Sequence, residues 1–262
     1  MKRKRNTALK VVIAALVVVI VGTLLYIVLK TLNDNKSLRN YNEIASSFAS
    51  DITEEQLSAA PSIDTEKAEN PIDFETLTAK NSDIYSWIYI PGTNVNYPVC
   101  QSSTNDNFYL DHDIDKNFSY AGAIYSQSCN RLDYSDRVTV LYGHNMASGA
   151  MFATLHRFED KEFFDENKYI YVYTNDRKLT YEIVSAFVYD DRHIMNSFDF
   201  SDDAVFEEYL DTITAPHSLY ANVREGTDLS VDDKILTLST CLNSGEGRYL
   251  VQGVLVKNEQ TK

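Results

Sequence analysis

The run from Val11 to Leu29 constrains the chain most, because it holds nineteen consecutive residues without a charge. A helix needs about 20 such residues to cross a bilayer. The basic segment Lys2–Arg5 precedes the run, and basic flanks stay on the cytoplasmic side. The sequence therefore predicts a cytoplasmic basic segment over residues 1–10, a transmembrane helix over 11–29 and an extracytoplasmic remainder, as in a single-pass type II membrane protein.

A cleaved signal peptide is the alternative to this anchor. The apolar region of a signal peptide is about 7–15 residues long and is followed by a small-residue cleavage site. The run here is longer and ends in Tyr26-Ile27-Val28-Leu29-Lys30. This pattern favours an uncleaved anchor in the cell membrane.

The charge of the remaining chain argues against nucleic acid as a partner. Six of the 24 Lys and Arg residues and none of the 38 Asp and Glu residues fall in residues 1–30, which leaves a net charge of −20 on residues 31–262. Phosphate binding needs a basic surface. Because an acidic body also keeps a protein soluble, solubility is the simpler explanation of the excess.

Residues 30–71 are expected to form a helical stalk and a linker. Apolar residues recur every three or four positions, as on one face of an amphipathic helix: Leu38, Tyr41, Ala45, Phe48 and Ile52. We interpret this face as packed on the domain that follows. Pro61 and Pro71 mark a linker over 59–71, so the globular domain is placed at residues 72–262.

The domain is predicted to be mainly β. Short apolar runs separated by turn residues are typical of strands, and they cover 87–90, 95–99, 121–125, 138–142, 169–174, 179–188, 235–240 and 249–256. Two segments have helical spacing instead, at 150–158 and 204–213. The second lies inside a connection from Asp190 to Leu236, and connections of that length are more often functional than idle.

Three strand ends carry residue types that fit nucleophilic catalysis. Cys241 ends one strand, Arg248 opens the next, and His144 follows the strand at 138–142. A cysteine attacks as the thiolate, and a histidine activates it and later protonates a leaving amine. An arginine stays charged at any working pH, so it suits a carbonyl oxygen on which negative charge develops. Neighbouring antiparallel strands would bring Cys241 and Arg248 together.

Each of these residues also has a structural explanation. A lone cysteine after a β run is usually a core residue, a lone histidine is usually structural, and an arginine at a strand start is often a surface charge. The other histidines carry less weight. His112, His193 and His217 lie in polar stretches, where we expect them to be solvated, and His156 lies close to the His144 segment.

Cys100 and Cys129 have two possible states. They form a disulfide, which an extracytoplasmic location permits, or they are buried free thiols, the interpretation we place first. The sequence holds no CxxC pair and no Cys/His cluster with zinc spacing. No metal and no other cofactor are therefore expected.

Two of these segments resemble the sortase active site. Thr237-Leu238-Ser239-Thr240-Cys241 with Arg248 beyond is similar to the sortase TLxTC…R motif, and Leu141–Met146 is similar to the sortase histidine segment. Further stretches resemble class B sortases in particular: Ile90–Thr93 with Tyr97–Val99, Asp106–Leu110, and Met151–Phe158. The resemblance covers about residues 74–256.

The resemblance implies a sortase-like eight-stranded β-barrel with N-terminal helices and a helix in the long connection between strands. It implies a membrane-bound cysteine transpeptidase on the outer face of a Gram-positive cell. Such an enzyme cleaves a C-terminal sorting signal after Thr, holds the acyl group as a thioester and passes it to a peptidoglycan precursor amine. The implied partners are sorting-signal-bearing surface proteins, that amine and the membrane.

The resemblance also assigns residues to roles. Cys241 attacks the peptide bond, His144 exchanges protons with the leaving and incoming amines, and Arg248 holds the carbonyl oxygen. The implied substrate-binding residues line the groove for the sorting peptide: Ser239, Thr240, Asn107 and Leu110.

Two other functions fit parts of this pattern. L,D-transpeptidases also order His, Cys and Arg, but their arginine lies two residues after the cysteine in an SxGC(I/V)R pattern, whereas Arg248 lies seven residues after Cys241. A non-catalytic anchored binding domain would use Cys241 structurally. Papain-like peptidases order Cys before His, which this chain does not.

Overall fold

The computed structural model describes residues 2–48, 70–218, 220–243 and 245–261. Nine strands follow in chain order: β1 Ile84–Tyr89, β2 Asn96–Cys100, β3 Ile124–Tyr125, β4 Val138–Tyr142, β5 Tyr169–Tyr173, β6 Arg177–Tyr189, β7 Asn222–Val223, β8 Ile235–Cys241 and β9 Arg248–Gln260. The helices are α1 Lys2–Phe48, α2 Phe74–Lys80, α3 Lys161–Glu166, α4 Ile194–Ser197 and α5 Asp203–Thr214, with 3₁₀ helices at Phe108–Leu110 and Ala153–Glu159.

Eight of these strands close into a barrel. Their order is β5-β1-β2-β3-β4-β8-β9-β6, and β6 pairs back with β5 to close the ring. The two-residue strand β7 pairs with β6 outside that ring. Only β2 with β3 and β4 with β8 run parallel among these pairs. The predicted eight-stranded barrel is therefore confirmed.

The long connection between β6 and β8 covers one outer face of the barrel. Its helix α5 presents Phe206, Tyr209, Leu210 and Ile213, all buried. The Tyr209 hydroxyl lies 3.0 Å from the Thr237 hydroxyl and 3.2 Å from the Gln252 amide nitrogen. Because buried polar groups are costly unless paired, this network fixes how α5 sits on β8 and β9.

Several elements differ from the sequence prediction. The strand expected at 121–125 is reduced to Ile124–Tyr125, and the segment expected as a helix at 150–158 forms a 3₁₀ helix at 153–159. The prediction also missed α2, α3 and α4, which hold seven, six and four residues. Such short helices show less than two turns of periodicity, so a pattern search does not detect them.

The N-terminal helix α1 is continuous from Lys2 to Phe48 and packs on the barrel near its end. Tyr41 is 3 % exposed, donates a 2.6 Å hydrogen bond to the Gly122 carbonyl and meets the Tyr97 ring edge-on. The expected packing of this helix on the domain is confirmed at Tyr41. Ile52 and most of the expected linker at 59–71 lie outside the described residues, and the domain boundaries stay predictions.

The first part of α1 has the length and composition of a membrane span. Residues Lys10–Leu32 have a mean hydropathy of 3.1, and none of this segment is buried against the rest of the protein. A helix of 23 residues covers about 34 Å, slightly more than the hydrocarbon core of a bilayer. The segment is therefore a candidate span.

Candidate active site

Cys241 and Arg248 lie directly opposite each other on neighbouring strands. The antiparallel pairing of β8 with β9 ends at the pair Cys241–Arg248. Side chains of directly opposed residues project from the same face of a sheet with Cβ atoms about 4.5–5.5 Å apart. The short turn between the strands thus presents a thiol and a guanidinium side by side, as the sequence predicted.

His144 reaches the same end of the barrel through a parallel pairing. Strand β4 runs parallel to β8, and Tyr142 is the register partner of Ser239. The Gly143 N–H extends this ladder with a 3.2 Å hydrogen bond to the Ser239 carbonyl. His144 and Cys241 each lie two residues beyond the register pair Tyr142–Ser239 on their own strand. The two side chains therefore emerge at one edge of the sheet.

The His144 ring is held on two sides. Its Nε2 lies 2.7 Å from the Leu110 carbonyl oxygen, and its ring stacks on Tyr120 with centroids 5.9 Å apart. A carbonyl oxygen accepts only, so Nε2 carries a proton and donates it to this bond. The other nitrogen, Nδ1, is then the one that exchanges a proton during a reaction.

Gly122 fixes the segment that holds His144. It has a φ of +59°, and a Cβ there would clash with the Tyr109 carbonyl oxygen and come within 2.6 Å of the Leu110 carbonyl oxygen. Only glycine adopts this conformation at no steric cost. The close approach of these backbones sets the position of the Leu110 carbonyl, and therefore of the His144 ring.

A cavity of about 240 Å³ opens beside Cys241, His144 and Arg248. All seven predicted site residues line it: Asn107, Leu110, His144, Ser239, Thr240, Cys241 and Arg248. Aromatic and aliphatic side chains supply much of the remaining wall: Tyr125, Tyr142, Tyr189, Ile194 and Leu250. A largely apolar pocket with a few convergent polar groups is the usual form of a ligand site.

Part of the wall is a polar chain that sequence reasoning missed. His193 Nε2 is 2.5 Å from the Gln127 side-chain oxygen, and the Gln127 amide donates to the Asn107 side-chain oxygen at 3.1 Å. His193 Nδ1 accepts from the Asn196 backbone N–H. His193 is half-buried in the cavity wall, so the expectation that it is solvated is wrong. No sequence spacing links it to Gln127, because the contact spans 66 residues.

Three hydroxyl groups in the same wall have no partner among the residues that the structure describes. Thr240 Oγ1, Tyr142 Oη and Tyr189 Oη are buried with no hydrogen-bond partner in the described part of the chain. Burial raises the pKa of Tyr125 to about 12, against the opposing effect of the nearby Arg248 guanidinium, so Tyr125 stays a neutral phenol near pH 7. These groups can donate to and accept from a bound peptide.

A second histidine holds the backbone of Cys241 from the other side. His156 Nε2 and Asn145 Nδ2 each lie 3.0 Å from the Cys241 carbonyl oxygen. His156 Nδ1 lies 2.6 Å from the Glu159 carboxylate, and the ring stacks on Tyr249. His156 contacts the Cys241 backbone without lining the cavity. His156 and Asn145 therefore act as a clamp: they hold the backbone of Cys241 at the end of β8.

Replacing His156 with Phe is expected to lower kcat by roughly fivefold at nearly constant KM. The Phe ring keeps the stack on Tyr249 but loses the bond to the Cys241 carbonyl, and one such hydrogen bond contributes about 1 kcal/mol. His156→Gln, which keeps a donor, should recover part of the loss. Steady-state kinetics of both variants test this; a rise in KM at unchanged kcat, or equal losses in the two variants, would contradict the positioning role.

The other two cysteines differ in exposure. Among the described residues all three cysteines are free; Cys100 is buried and Cys129 is exposed. The expectation of free thiols agrees with this arrangement, but the expected burial of Cys129 is wrong. Burial raises the pKa of the Cys100 thiol, so Cys100 is unreactive at neutral pH. Cys241 is half-buried at the cavity.

Comparison with known proteins gives one consistent family. The sortase domain family model matches residues 88–256. Sortase B of Listeria monocytogenes is 32% identical over 185 residues, which cover 67% of this chain and 71% of that protein. Sortase B of Staphylococcus aureus is 27% identical over 242 residues, covering 92% of this chain and 91% of that protein.

Solved structures agree with the sequence relatives. The X-ray structure of Clostridium perfringens sortase B has a TM-score of 0.64 and 35% identity, and the match covers 71% of this chain and 100% of that one. The Staphylococcus aureus sortase B–substrate complex has a TM-score of 0.70 and 27% identity, covering 86% and 99%.

Proposed function

The chain belongs to the sortase family and to its class B, and from that premise we propose that it cleaves a C-terminal sorting signal after Thr and transfers the protein to a cell-wall peptide amine. As a class B sortase it is a cysteine transpeptidase. The family match sets aside both alternatives, the L,D-transpeptidase and the non-catalytic binding domain. The finer proposal rests chiefly on one observation: Cys241, His144 and Arg248 line a single cavity.

The proposed reaction has two halves. The Cys241 thiolate forms a bond to the scissile carbonyl carbon, and the C–N bond breaks as His144 gives the leaving amine a proton from Nδ1. The product is a thioester between Cys241 and the Thr carbonyl. An incoming amine then attacks that carbonyl and loses a proton to His144, and the thiolate leaves.

Arg248 is assigned to the carbonyl oxygen. Its position opposite Cys241 in the strand register suits a donor aimed at the oxygen of the carbonyl that Cys241 attacks. A guanidinium there stabilises the negative charge that develops on this oxygen, and a single oxyanion donor contributes about 2.7–4 kcal/mol to lowering the barrier.

The groove for the peptide is proposed to run along the cavity wall. Ser239 and Thr240 lie in the strand that ends at Cys241, and Asn107 and Leu110 line the same cavity. The hydroxyls of Thr240, Tyr142 and Tyr189, which have no partner among the described residues, support peptide binding, because buried polar groups normally have partners. A substrate complex of a class B relative from Staphylococcus aureus supports a sorting-signal substrate for this chain.

The proposed location is the cell membrane, with the barrel outside the cytoplasm. The candidate span Lys10–Leu32 and the basic residues before it support a single-pass type II topology. This placement puts the thiol of Cys241 on the side of the membrane where the wall is assembled. Protease treatment of intact cells tests it, because an extracytoplasmic barrel is degraded and a cytoplasmic one is protected.

A peptide-library experiment tests the proposed reaction. The full chain in detergent is incubated with peptides that vary around a central Thr, and intact-mass spectrometry detects the acyl adduct. We expect an adduct on Cys241 that ends at the Thr carbonyl, and its release when an amine is added. The absence of any adduct across the library would overturn the proposal.

Replacing Arg248 with Lys is expected to lower kcat by roughly 10²- to 10³-fold, the loss typical of removing one oxyanion donor. A lysine ammonium is a point charge and cannot reproduce the two-pronged geometry of the guanidinium. The change is measured as kcat at saturating peptide. Arg131→Lys, at an exposed position, is the matched control, and near wild-type turnover in Arg248→Lys would refute the oxyanion role.

A further inference from the structure

We propose that the active-site end of the barrel rests on the membrane surface, with Phe118 and Tyr120 inserted into the interfacial layer of the bilayer that holds α1. The inference rests on the proposed membrane anchoring and adds an orientation to it. It concerns the loop 111–123, named here the interfacial loop, which contains both aromatic residues and lies outside the strands.

The helix α1 holds the barrel close to the bilayer. It is continuous, and the buried Tyr41 lies nine positions after Leu32, the end of the candidate span. At 1.5 Å per residue these two positions are about 14 Å apart along the helix. A continuous helix cannot shorten or fold back between them, so the contact at Tyr41 fixes the distance from the barrel to the membrane.

The contact at Tyr41 lies at the active-site end of the barrel. Tyr41 donates to the Gly122 carbonyl, and Gly122 closes the interfacial loop against the backbone of Leu110, whose carbonyl holds His144. Strand β3 begins two residues after Gly122 and pairs with the last residue of β4. The end of the barrel that carries His144 therefore faces along α1 toward the span.

The interfacial loop reaches the span itself. The Lys30 ammonium lies 5.7 Å from the centre of the Tyr120 ring, within the range of a cation–π contact. Lys30 is in the last turn of the candidate span Lys10–Leu32. Tyr120 thus stands at the level where hydrocarbon gives way to headgroups, and its ring stacks on His144.

The two exposed aromatic side chains of the loop fit that layer. Phe118 is 75 % exposed and Tyr120 is 53 % exposed, so both rings are available to contact a bilayer. Aromatic residues concentrate at membrane interfaces, and lysines near span ends extend their ammonium groups to the headgroups. Exposed aromatic rings beside a span are explained by contact with lipid better than by contact with water.

This orientation has a consequence for the substrate. The His144 ring lines the cavity and stacks on Tyr120, so the proposed orientation places the cavity close to headgroup level. A peptide that emerges from the same bilayer reaches Cys241 without crossing bulk solvent.

Tryptophan quenching in vesicles tests the proposal. The full chain, as Phe118→Trp, is reconstituted into phosphatidylcholine–phosphatidylglycerol vesicles with or without brominated acyl chains. Trp87, the single tryptophan of the chain, is fully buried and serves as a constant background in every variant. We expect the emission of Trp at position 118 to be lost in brominated vesicles.

Leu132→Trp is the matched control. Leu132 is 49 % exposed and lines a surface cavity together with Lys234. Lys234 is the residue before β8 and lies seven positions from Cys241 at the other end of that strand, or about 23 Å of extended chain. Emission from position 132 should be unchanged by bromination. Tyr120→Trp, which keeps an aromatic ring, is the second reporter if Phe118→Trp folds poorly.

Each outcome decides a separate point. Vesicle flotation shows whether the chain is anchored, and failure to float overturns the anchor and the orientation together. A floating chain whose emission at 118 and 120 ignores bromination overturns the orientation alone, as does equal quenching at 132. Acyl-adduct formation in detergent is measured independently, so failure of the transpeptidase proposal is distinguished from failure of this one.

Discussion

Replacing Cys241 with Ala is expected to abolish acyl transfer, with a loss of roughly 10⁴- to 10⁶-fold in kcat, the range seen when a catalytic residue of a covalent mechanism is removed. Without the sulfur no thioester forms, and Arg248 and the cavity wall have no covalent intermediate to stabilise. The measurement pairs intact-mass detection of the adduct with the rate of product formation in the presence of an amine.

Cys129→Ala is the matched control for that variant. Cys129 is an exposed free thiol, so its removal tests whether any accessible cysteine accounts for the adduct. We expect an unchanged adduct mass and turnover in Cys129→Ala, and no adduct in Cys241→Ala at an unchanged melting temperature. Residual turnover above about one hundredth of wild type in Cys241→Ala would contradict the assignment of the nucleophile.

The sequence predicted the part of the site that strand geometry determines. An apolar run that ends at Cys241 and another that begins near Arg248 suffice to pair the two residues, because a short connection makes such strands antiparallel neighbours. The register confirms that pairing. The buried face of α5 was predictable for a similar reason, since Phe206, Tyr209 and Ile213 recur at helical spacing and all three are buried.

The parts that were missed depend on contacts between distant segments. His193 meets Gln127 across 66 residues, and His156 meets the Cys241 carbonyl across 85 residues. His193 sits in no periodic pattern, and the helical spacing at 150–158 that contains His156 does not report its contact with Cys241. A polar neighbourhood in sequence therefore predicted solvation for His193, whereas the fold places it against the cavity.

Short elements were missed for a different reason. The helices α2 and α3 each begin after an aspartate whose carboxylate accepts a backbone N–H: Asp73 from Thr76 and Asp160 from Phe163. Such N-caps are readable in sequence, but seven and six residues show too little periodicity to support them. Capping signals without periodicity occur in many turns, so the caps alone did not separate these helices from loops.

Replacing His144 with Gln is the second variant with a very large expected effect, again roughly 10⁴- to 10⁶-fold in kcat/KM. A glutamine amide can still donate to the Leu110 carbonyl, which lies 2.7 Å from His144 Nε2, so the wall of the cavity is preserved. It cannot accept a proton from the incoming amine or give one to the leaving amine near pH 7. The loss is measured with a peptide substrate at limiting concentration.

The chemical cause of that loss can be isolated by changing the leaving group. The leaving group of an activated ester departs as a stable anion and needs no proton. Such an ester should therefore acylate His144→Gln at a measurable rate while leaving Cys241→Ala unmodified.

His217→Gln, at an exposed position, controls for the loss of a histidine elsewhere in the protein. His156→Gln separates the two histidines near Cys241: a clamp that only holds the Cys241 carbonyl should cost far less than the proton carrier. If His156→Gln lost more activity than His144→Gln, the proton-transfer role would belong to His156; if the ester failed to rescue His144→Gln, the loss would lie in activation of the Cys241 thiol and not in protonation of the leaving amine.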